Sequence, residues 1–311
     1  MYPQLIENPG GIPVNTYGMF MLLAFCCSFL LVQWRAPKVG IDPDRLPGVY
    51  VAAGIGGIIG ARVLYAVAVE WKELLANPAH LFSMSGVAVY GGVVGGALAV
   101  LAVARPLSIP IWKLADIAGP SVLIGMSVGR LGCFFAGCCH GAPAPAGGTP
   151  LLPEGLLGGN LHLLSSPPFL TATFDGGVSR LLHQPLYPTQ LWSFALLGLL
   201  CATLVAKWRS RAFDGQVAAL TLIVEPPVRI FVESFRADER GYSLTFPAPP
   251  WVADLFPGLA SAGSTPDAAI VGLTTSQTIA LAGIALGVAI YALRRNAGVA
   301  PEKVIVHDQM M

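Results

Sequence analysis

The sequence predicts an all-α integral membrane protein with about seven transmembrane helices. Apolar residues make up 54% of the 311 residues and charged residues only 11%, against roughly a quarter charged residues in ordinary soluble domains. Seven segments are long and apolar enough to cross a bilayer. They cover residues 16–34, 48–69, 84–104, 114–137, 187–206, 215–235 and 275–293. The net charge of +1 gives no indication of a nucleic-acid partner, so none is predicted.

The distribution of basic residues predicts the orientation of the chain. Of the 18 Lys and Arg residues, most lie after the first, third and fifth segments and in the C-terminal tail. Few lie in the alternate loops, and three lie inside apolar segments. Because basic loops tend to stay on the cytoplasmic side, we expect the N-terminus outside and the C-terminus in the cytoplasm.

The chain is predicted to form one transmembrane domain over residues 1–296, followed by a cytoplasmic tail over residues 297–311. Two exported loops are long, at about 138–186 and 237–274. Long loops without a periodic pattern are often functional. The second loop is aromatic, however, and we favour the interpretation that it lies at the level of the lipid headgroups.

Three arginines lie inside apolar segments, at Arg62, Arg130 and Arg229. A charge at the centre of a bilayer costs about 3 kcal/mol on insertion scales, so each needs a compensating environment. The guanidinium group carries a permanent charge and a planar fork of donors that fits phosphate. The pattern therefore predicts that an anionic lipid headgroup enters the protein at membrane depth.

The sixth segment has the densest set of charged residues. Glu225, Arg229 and Glu233 are spaced four residues apart and share one helix face. Pro226 and Pro227 donate no backbone hydrogen bond, so we expect the helix to restart before Arg229 and to direct free N–H groups at a phosphate. An internal ion pair between Arg229 and one glutamate is the alternative. The second carboxylate would then suit a proton acceptor.

Glycines recur at helical spacing in the second and third segments, as Gly56 with Gly60 and Gly91 with Gly95. Small residues on one face usually allow two membrane helices to approach closely. Close helix packing is therefore the ordinary interpretation of these glycines. Beside Tyr90 they also leave room for a lipid headgroup.

Several short blocks resemble the bacterial prolipoprotein diacylglyceryl transferase family. They are Tyr17-Gly18, Gly60-Ala61-Arg62-Val63-Leu64-Tyr65, Tyr90-Gly91-Gly92, Gly129-Arg130-Leu131-Gly132-Cys133-Phe134, Tyr187-Pro188-Thr189-Gln190-Leu191 and Arg229-Ile230-Phe231-Val232-Glu233. The blocks keep the family's order between about residues 14 and 241. The Gly-Arg-x-Gly and Pro-Thr-Gln-Leu blocks together, in a seven-span chain, are fairly specific.

The resemblance implies a multi-pass enzyme of the bacterial cytoplasmic (inner) membrane. The family transfers the diacylglyceryl group of phosphatidylglycerol to the lipobox cysteine thiol of a preprolipoprotein. Glycerol phosphate is released and a thioether forms, without a metal or another cofactor. By motif position, Arg130 and Arg229 would bind and polarise the phosphate, and Glu233 would orient Arg229 or accept a proton.

The resemblance, together with the arguments from the residues, gives a set of predicted substrate-binding residues. They are Tyr17, Arg62, Gly91, Gly92, Gly129, Gly132, Cys133, Gln190 and Glu225. The best-known members carry His where this chain has Tyr90, and that His has been proposed to activate the thiol. Tyr90 is therefore a predicted catalytic residue. The alternative is a non-catalytic lipid-binding or lipid-transport paralogue.

The run Cys133-x4-Cys138-Cys139-His140 brings three thiols and an imidazole together on the exported side of the fourth segment. Best-known members carry Asn in place of Cys133 and Glu in place of Cys138. Packing residues, a disulfide in an oxidising compartment and a thiolate or metal site are all open interpretations. The spacing matches no known zinc finger or ribbon, so no metal is predicted. A membrane thiol oxidoreductase is the weakest alternative function, since no quinone or flavin motif is evident.

Overall fold

The computed structural model describes residues 4–6, 14–83, 86, 88–143, 149–150, 161–166, 169–174, 186–236, 242–259 and 269–297. The described chain is mostly helical. Its α-helices are α1 (Thr16–Arg35), α2 (Leu46–Ala68), α3 (Trp71–Ala76), α4 (Val89–Ala104), α5 (Ile111–Ala136), α6 (Thr189–Lys207), α7 (Gln216–Glu233), α8 (Pro250–Leu255) and α9 (Thr275–Asn296). A helix lies at each of the seven predicted segments. Residues 298–311 of the predicted tail lie outside the described residues.

Short strands form three small antiparallel sheets in the described part of the chain. The strands are β1 (Gln4–Ile6), β2 (Val14–Asn15), β3 (Thr149–Pro150), β4 (Leu161–Ser166), β5 (Phe169–Phe174), β6 (Tyr242–Ala248) and β7 (Ala269–Thr274). Two of these sheets lie within the predicted exported loops, which therefore contain β-structure that the sequence analysis did not predict. In β6–β7 the paired segments are separated by more than twenty residues, and such distant pairing has no local sequence signal.

Five described helices are long and apolar enough to cross a membrane: α1, α2, α5, α6 and α9. The chain is therefore consistent with a multi-pass helical membrane protein. The apolar part of α4, Tyr90–Ala104, is shorter. Helix α7 carries three charged residues within 18 residues, which lowers its apolar character. The seven-helix count and the orientation remain predictions.

The chain divides into two compact units, residues 1–28 with 118–301 and residues 29–117 with 302–311. In the second unit, α2 packs against α4 through their glycines. A Cβ added to Gly60 would lie 2.8 Å from the Gly95 Cα atom. A Cβ added to Gly92 would lie 3.3 Å from the Gly57 carbonyl oxygen. The predicted close approach of the two helices is confirmed, because an added Cβ would meet the backbone of the other helix at both positions.

In the first unit, α7 packs against α9 and is continuous from Gln216 to Glu233. The expectation that the helix restarts before Arg229 was therefore wrong. The buried Pro226 ring faces α9 at a glycine, since a Cβ added to Gly283 would lie 3.7 Å from Pro226 Cγ. Gly283 thus leaves space for the Pro226 ring, whereas Pro227 is exposed.

Candidate functional site

An open cavity in the first unit is lined by five charged side chains from α5, α7 and the residues directly after α7. They are Arg130, Glu225, Arg229, Glu233 and Arg236. The cavity is open to its surroundings and has about 300 Å³ of empty space, open solvent included. Three guanidinium groups against two carboxylates leave an excess of one positive charge when both acids are ionised. This balance suits a phosphodiester, which carries one negative charge.

Helix α7 positions most of the charged lining. The predicted spacing holds, because Glu225, Arg229 and Glu233 all face the cavity from one side of the helix. Glu233 is buried. The Arg229 Nε donates a hydrogen bond of 2.7 Å to Ser276 Oγ in the first turn of α9. This contact fixes the plane of the guanidinium group.

Ser276 lies in the first turn of α9, directly after a capped N-terminus. Thr274 and Gln277 form a reciprocal capping box, with Thr274 Oγ1 accepting from the Gln277 N–H at 3.2 Å and Gln277 Oε1 accepting from the Thr274 N–H at 2.9 Å. Gln277 Nε2 also donates to the Ile230 carbonyl on α7 at 3.4 Å. The cap therefore holds Ser276 in position beside Arg229.

Helix α5 carries Arg130 to the cavity and packs on α1 through the predicted glycines. A Cβ added to Gly132 would lie 2.8 Å from Phe20 Cβ, and one added to Gly129 would lie 3.7 Å from Met21 Sδ. The two glycines thus support the packing of Arg130's helix, whereas their predicted contact with substrate remains untested. Tyr17 is half-exposed on α1 and lies within electrostatic range of Arg130 and of the cysteines after α5.

Arg236 reaches the cavity because an aromatic cluster holds the end of α7. Phe235 is fully buried and contacts Tyr187 and Trp192 edge-on, with ring centroids 5.2 and 5.4 Å apart. The Ala142 N–H donates to the Phe235 carbonyl at 2.8 Å, which ties the segment after α5 to the end of α7. Arg236 itself is only 4% exposed.

Three thiols gather where α5 ends. The Sγ atoms of Cys133, Cys138 and Cys139 all lie within 4.8 Å of one another, and each is a free thiol. Cys133 is buried, whereas Cys138 is exposed. Packing therefore does not explain the whole cluster. The His140 ring instead lies beside its own backbone, with Nδ1 3.0 Å from the Gly141 carbonyl oxygen.

The thiols differ in their tendency to ionise. Hydrogen bonds shared with Cys133 and Cys139 raise the pKa of the Cys138 thiol above its usual value. Hydrogen bonds from Cys133 and Cys138, with a further one from Arg236, hold the pKa of Cys139 below its usual value. Arg236 contacts both sites, because it hydrogen-bonds to Cys139 and also lines the arginine cavity.

The predicted residue Gln190 contacts the cysteine segment. Gln190 Nε2 donates to the Cys138 carbonyl at 2.8 Å, and Thr189 Oγ1 donates to the Cys139 carbonyl at 3.0 Å. Gln190 is almost fully buried, and its Oε1 has no hydrogen-bond partner among the described residues. The Pro-Thr-Gln-Leu block thus holds the backbone that carries two of the thiols.

Arg62 belongs to the second unit, where the protein itself satisfies its charge. Its Nη1 pairs with Glu70 Oε2 at 3.0 Å, and its Nε and Nη2 donate to the carbonyls of Leu81 and His80 at 2.8 and 2.6 Å. Further bonds run from Nη2 to Ser83 Oγ at 2.8 Å and from Nη1 to the Gly86 carbonyl at 3.4 Å. These contacts use all five N–H donors of a guanidinium group. Arg62 thus needs no lipid anion to offset its burial, and its predicted role in substrate binding remains untested.

Tyr90, Gly91 and Gly92 also lie in the second unit, at the start of α4. Gly91 and Gly92 pack against Gly60 and Gly57 of α2. The structure thus gives both glycines a packing role, and their assignment to the substrate site, like the catalytic assignment of Tyr90, stays a prediction.

Sequence reasoning missed Arg236 and Ser276 as site residues. Arg236 lies just outside the predicted sixth segment, although it follows Glu233 by three residues and so lies about one helical turn beyond it. Ser276 has no such signal, because its contact with Arg229 joins residues 47 positions apart.

Comparison with known proteins gives the family. The family described as prolipoprotein diacylglyceryl transferase matches residues 3–293. A phosphatidylglycerol–prolipoprotein diacylglyceryl transferase of Clostridium tetani is 30% identical over 242 residues, which cover 78% of this chain and 88% of the relative. The Enterococcus faecalis protein of that name is 31% identical, with 73% and 77% of the two chains covered. A second such transferase of Clostridium perfringens is 28% identical, with 74% and 82% covered.

The match covers both units and includes every block that carried the resemblance. It also covers the cavity with Arg130 and Arg229 and the helix that supplies Ser276. The chain therefore belongs to the prolipoprotein diacylglyceryl transferase family.

Proposed function

We propose that this protein transfers the diacylglyceryl group of phosphatidylglycerol to the lipobox cysteine thiol of preprolipoproteins, at the exported face of the bacterial cytoplasmic membrane. The observation that carries the proposal is the cavity in which Arg130, Arg229 and Arg236 meet. The names of the relatives supply the donor lipid, the acceptor protein and the reaction class.

The arginine cavity suits the charge change of this reaction. The acceptor sulfur attacks the glyceryl carbon that bears the phosphate, a carbon–sulfur bond forms, and the carbon–oxygen bond to phosphate breaks. The bonding electrons leave with glycerol phosphate, so a singly charged diester becomes a doubly charged monoester. Guanidinium donors aimed at this developing charge stabilise the transition state more than they stabilise the bound, intact lipid.

The other side chains take supporting roles in the proposal. Glu233 and Glu225 share the helix face of Arg229 and orient it or accept a proton. Tyr17 is proposed to line the lipid cavity, and Gln190 is proposed to belong to the site wall given by α6. Tyr90 remains our predicted catalytic residue, but its hydroxyl is chiefly a hydrogen-bond donor to developing charge.

The experiment is transfer by the purified full-length protein in phosphatidylglycerol vesicles, read as the mass of a lipobox peptide. Phosphatidylethanolamine vesicles are the matched control. The proposal expects the added mass of one diacylglyceryl group with phosphatidylglycerol only. Tight lipid binding without added mass would identify a lipid-binding or lipid-transport paralogue, and oxidation of the peptide alone would identify a thiol oxidoreductase.

A further inference from the structure

The three thiols after α5 are close enough together to be joined in a pair by oxidation. The Sγ atoms of Cys133, Cys138 and Cys139 lie within 4.8 Å of one another, and all three are free thiols. A disulfide has an S–S distance of about 2.05 Å, and a thiol sulfur moves by about 3 Å when its side chain changes between staggered rotamers. The gap between two of these sulfurs is therefore within the range of side-chain rotation.

The local backbone explains why the thiols meet. Helix α5 ends in a Schellman motif, with Gly137 at a φ of 74°, a Gly137 N–H bond to the Phe134 carbonyl and a Cys138 N–H bond to the Cys133 carbonyl, both 3.1 Å. This motif places the side chains before and after the turn next to each other. Cys139 then takes a φ of 61°, which is uncommon outside glycine, and its sulfur lies beside the first two.

The block at the start of α6 anchors the same backbone. Gln190 and Thr189 bind the carbonyl oxygens of Cys138 and Cys139. A non-glycine residue with a positive φ persists only where surrounding contacts determine its conformation. The turn and these two anchors therefore keep the thiols together before any oxidant reaches them.

Two observations select Cys133 and Cys139 as the pair. Cys138 and Cys139 are neighbours in the chain, and Cα atoms about 3.8 Å apart are closer than the roughly 4.4–6.8 Å usual for a disulfide. Hydrogen bonds from the two other thiols and from Arg236 lower the pKa of Cys139, and a thiolate is the form of cysteine that attacks a disulfide. Exchange therefore begins at Cys139 and is completed by Cys133.

The sulfur of Cys139 is also linked to the arginine cavity. Arg236 hydrogen-bonds to Cys139 and lines the cavity together with Arg130 and Arg229. A disulfide sulfur does not ionise, so after oxidation Cys139 no longer offsets the charge of Arg236. Because Arg236 is buried, this charge is weakly screened and acts on an anion in the cavity.

We propose that Cys133 and Cys139 form a reversible disulfide that raises the affinity of the arginine cavity for phosphatidylglycerol. Disulfides persist in exported, oxidising compartments, and the proposed orientation places the end of α5 on the exported side. The inference rests on the proposed transfer function, which supplies the lipid and this orientation.

The oxidant is an external disulfide, either oxidised glutathione or the disulfide of an exported protein. The Cys139 thiolate attacks one of its sulfurs, a mixed disulfide forms, and one thiolate leaves. Cys133 gives up its proton and attacks the Cys139 sulfur, and the second thiolate leaves with the electron pair. The cysteine pair is oxidised by two electrons, and the external disulfide is reduced to two thiols that take up the two protons.

The first arm of the test counts thiols in the full-length protein and needs neither lipid nor transfer. Protein equilibrated with oxidised or with reduced glutathione is quenched with acid, alkylated and weighed. Oxidation should remove two alkylatable thiols from wild type, and reduced glutathione should restore them. Cys138→Ser should respond in the same way, whereas Cys133→Ser and Cys139→Ser should keep all their remaining thiols. Cys201→Ser removes a buried thiol of α6 and is the matched control that responds as wild type does.

The wild-type comparison does not depend on the folding of any variant. Wild type that keeps all its thiols in oxidised glutathione overturns the site. A loss of two thiols in Cys133→Ser or in Cys139→Ser overturns the assignment of the pair, and so does an unresponsive Cys138→Ser.

The second arm measures phosphatidylglycerol binding without an acceptor peptide, because a peptide thiol would itself react with the oxidant. Oxidised wild type should bind the lipid at least about fivefold more tightly than reduced wild type. Cys139→Ser has no ionisable sulfur beside Arg236, so it should bind as tightly as oxidised wild type in both buffers. Cys138→Ser is the matched control that keeps the difference between the buffers. Equal affinity of oxidised and reduced wild type overturns the link to the cavity.

Transfer separates this inference from the function on which it rests. Oxidised and reduced wild type are freed of glutathione and compared in their first turnovers with a lipobox peptide, at low phosphatidylglycerol. Transfer at the same rate in both states overturns the regulation and leaves the proposed function intact. A lipid affinity that follows the disulfide in a protein without transfer activity supports the disulfide and its link to the cavity, and overturns the proposed function.

Discussion

Ser276→Ala tests whether α9 positions Arg229 for catalysis. The substitution removes the hydroxyl that accepts the 2.7 Å bond from Arg229 Nε. A hydrogen bond to a charged group contributes about 1.5–3 kcal/mol. We take the lower value, because the guanidinium group keeps its other N–H donors in the cavity. At about 1.4 kcal/mol for each factor of ten, transfer efficiency should fall about tenfold.

The assay is steady-state transfer to a lipobox peptide, with kcat and KM determined separately. Because Arg229 is proposed to stabilise charge that appears only on the leaving phosphate, kcat should carry most of the loss. Ser276→Thr keeps a hydroxyl and should retain activity within about threefold. Thr278→Ala is the matched control, since its hydroxyl donates to the carbonyl of Thr274, the cap residue of α9, at 3.2 Å. A Ser276→Ala enzyme within twofold of wild type would refute the positioning role.

Three further predictions concern stability and the thiol turn. Gly60→Ala should destabilise the protein by about 1–3 kcal/mol in thermal unfolding, because the new Cβ would lie 2.8 Å from Gly95 Cα. The space around Gly54 is open, so Gly54→Ala should change the stability little. Glu70→Gln should lower the free energy of unfolding by about 1.5–3 kcal/mol, because it breaks the partly buried pair with Arg62 at 3.0 Å. Glu73 is exposed, so Glu73→Gln should be near neutral. Equal unfolding temperatures for the two variants would contradict this. Gly137→Ala, at a φ of 74°, should lower the free energy of unfolding by about 1–2 kcal/mol. Gly40→Ala has the same φ and should cost a similar amount. A Gly137→Ala protein as stable as wild type would contradict the argument from backbone strain.

The helices were predictable from sequence because a bilayer imposes one simple requirement, a long apolar run. Each predicted segment contains a helix, and the glycines of α2 and α4 correctly indicated close packing. The helix face with Glu225, Arg229 and Glu233 was also predictable, since helical spacing depends only on local geometry. These features follow from residues that are near one another in the chain.

What sequence reasoning missed depends on contacts between distant segments. Arg62 finds its carbonyl partners and Glu70 in the region between α2 and α4, which has no periodic pattern. The Pro226 ring of α7 packs beside Gly283 of α9, a residue 57 positions away in the chain. The contact between Ser276 and Arg229 likewise joins two helices whose pairing no local pattern predicts.

The most direct test of the central claim compares transfer by wild type, Arg130→Gln and Arg229→Gln in the same phosphatidylglycerol vesicles. Each substitution removes a charge aimed at the leaving phosphate and should lower kcat by about 10²–10³. Folding is checked by thermal unfolding of each variant. The account predicts that the lipobox peptide gains the mass of a diacylglyceryl group with wild type. With either variant almost no peptide should gain that mass. Full transfer by a folded Arg229→Gln protein would contradict the role of the arginine cavity.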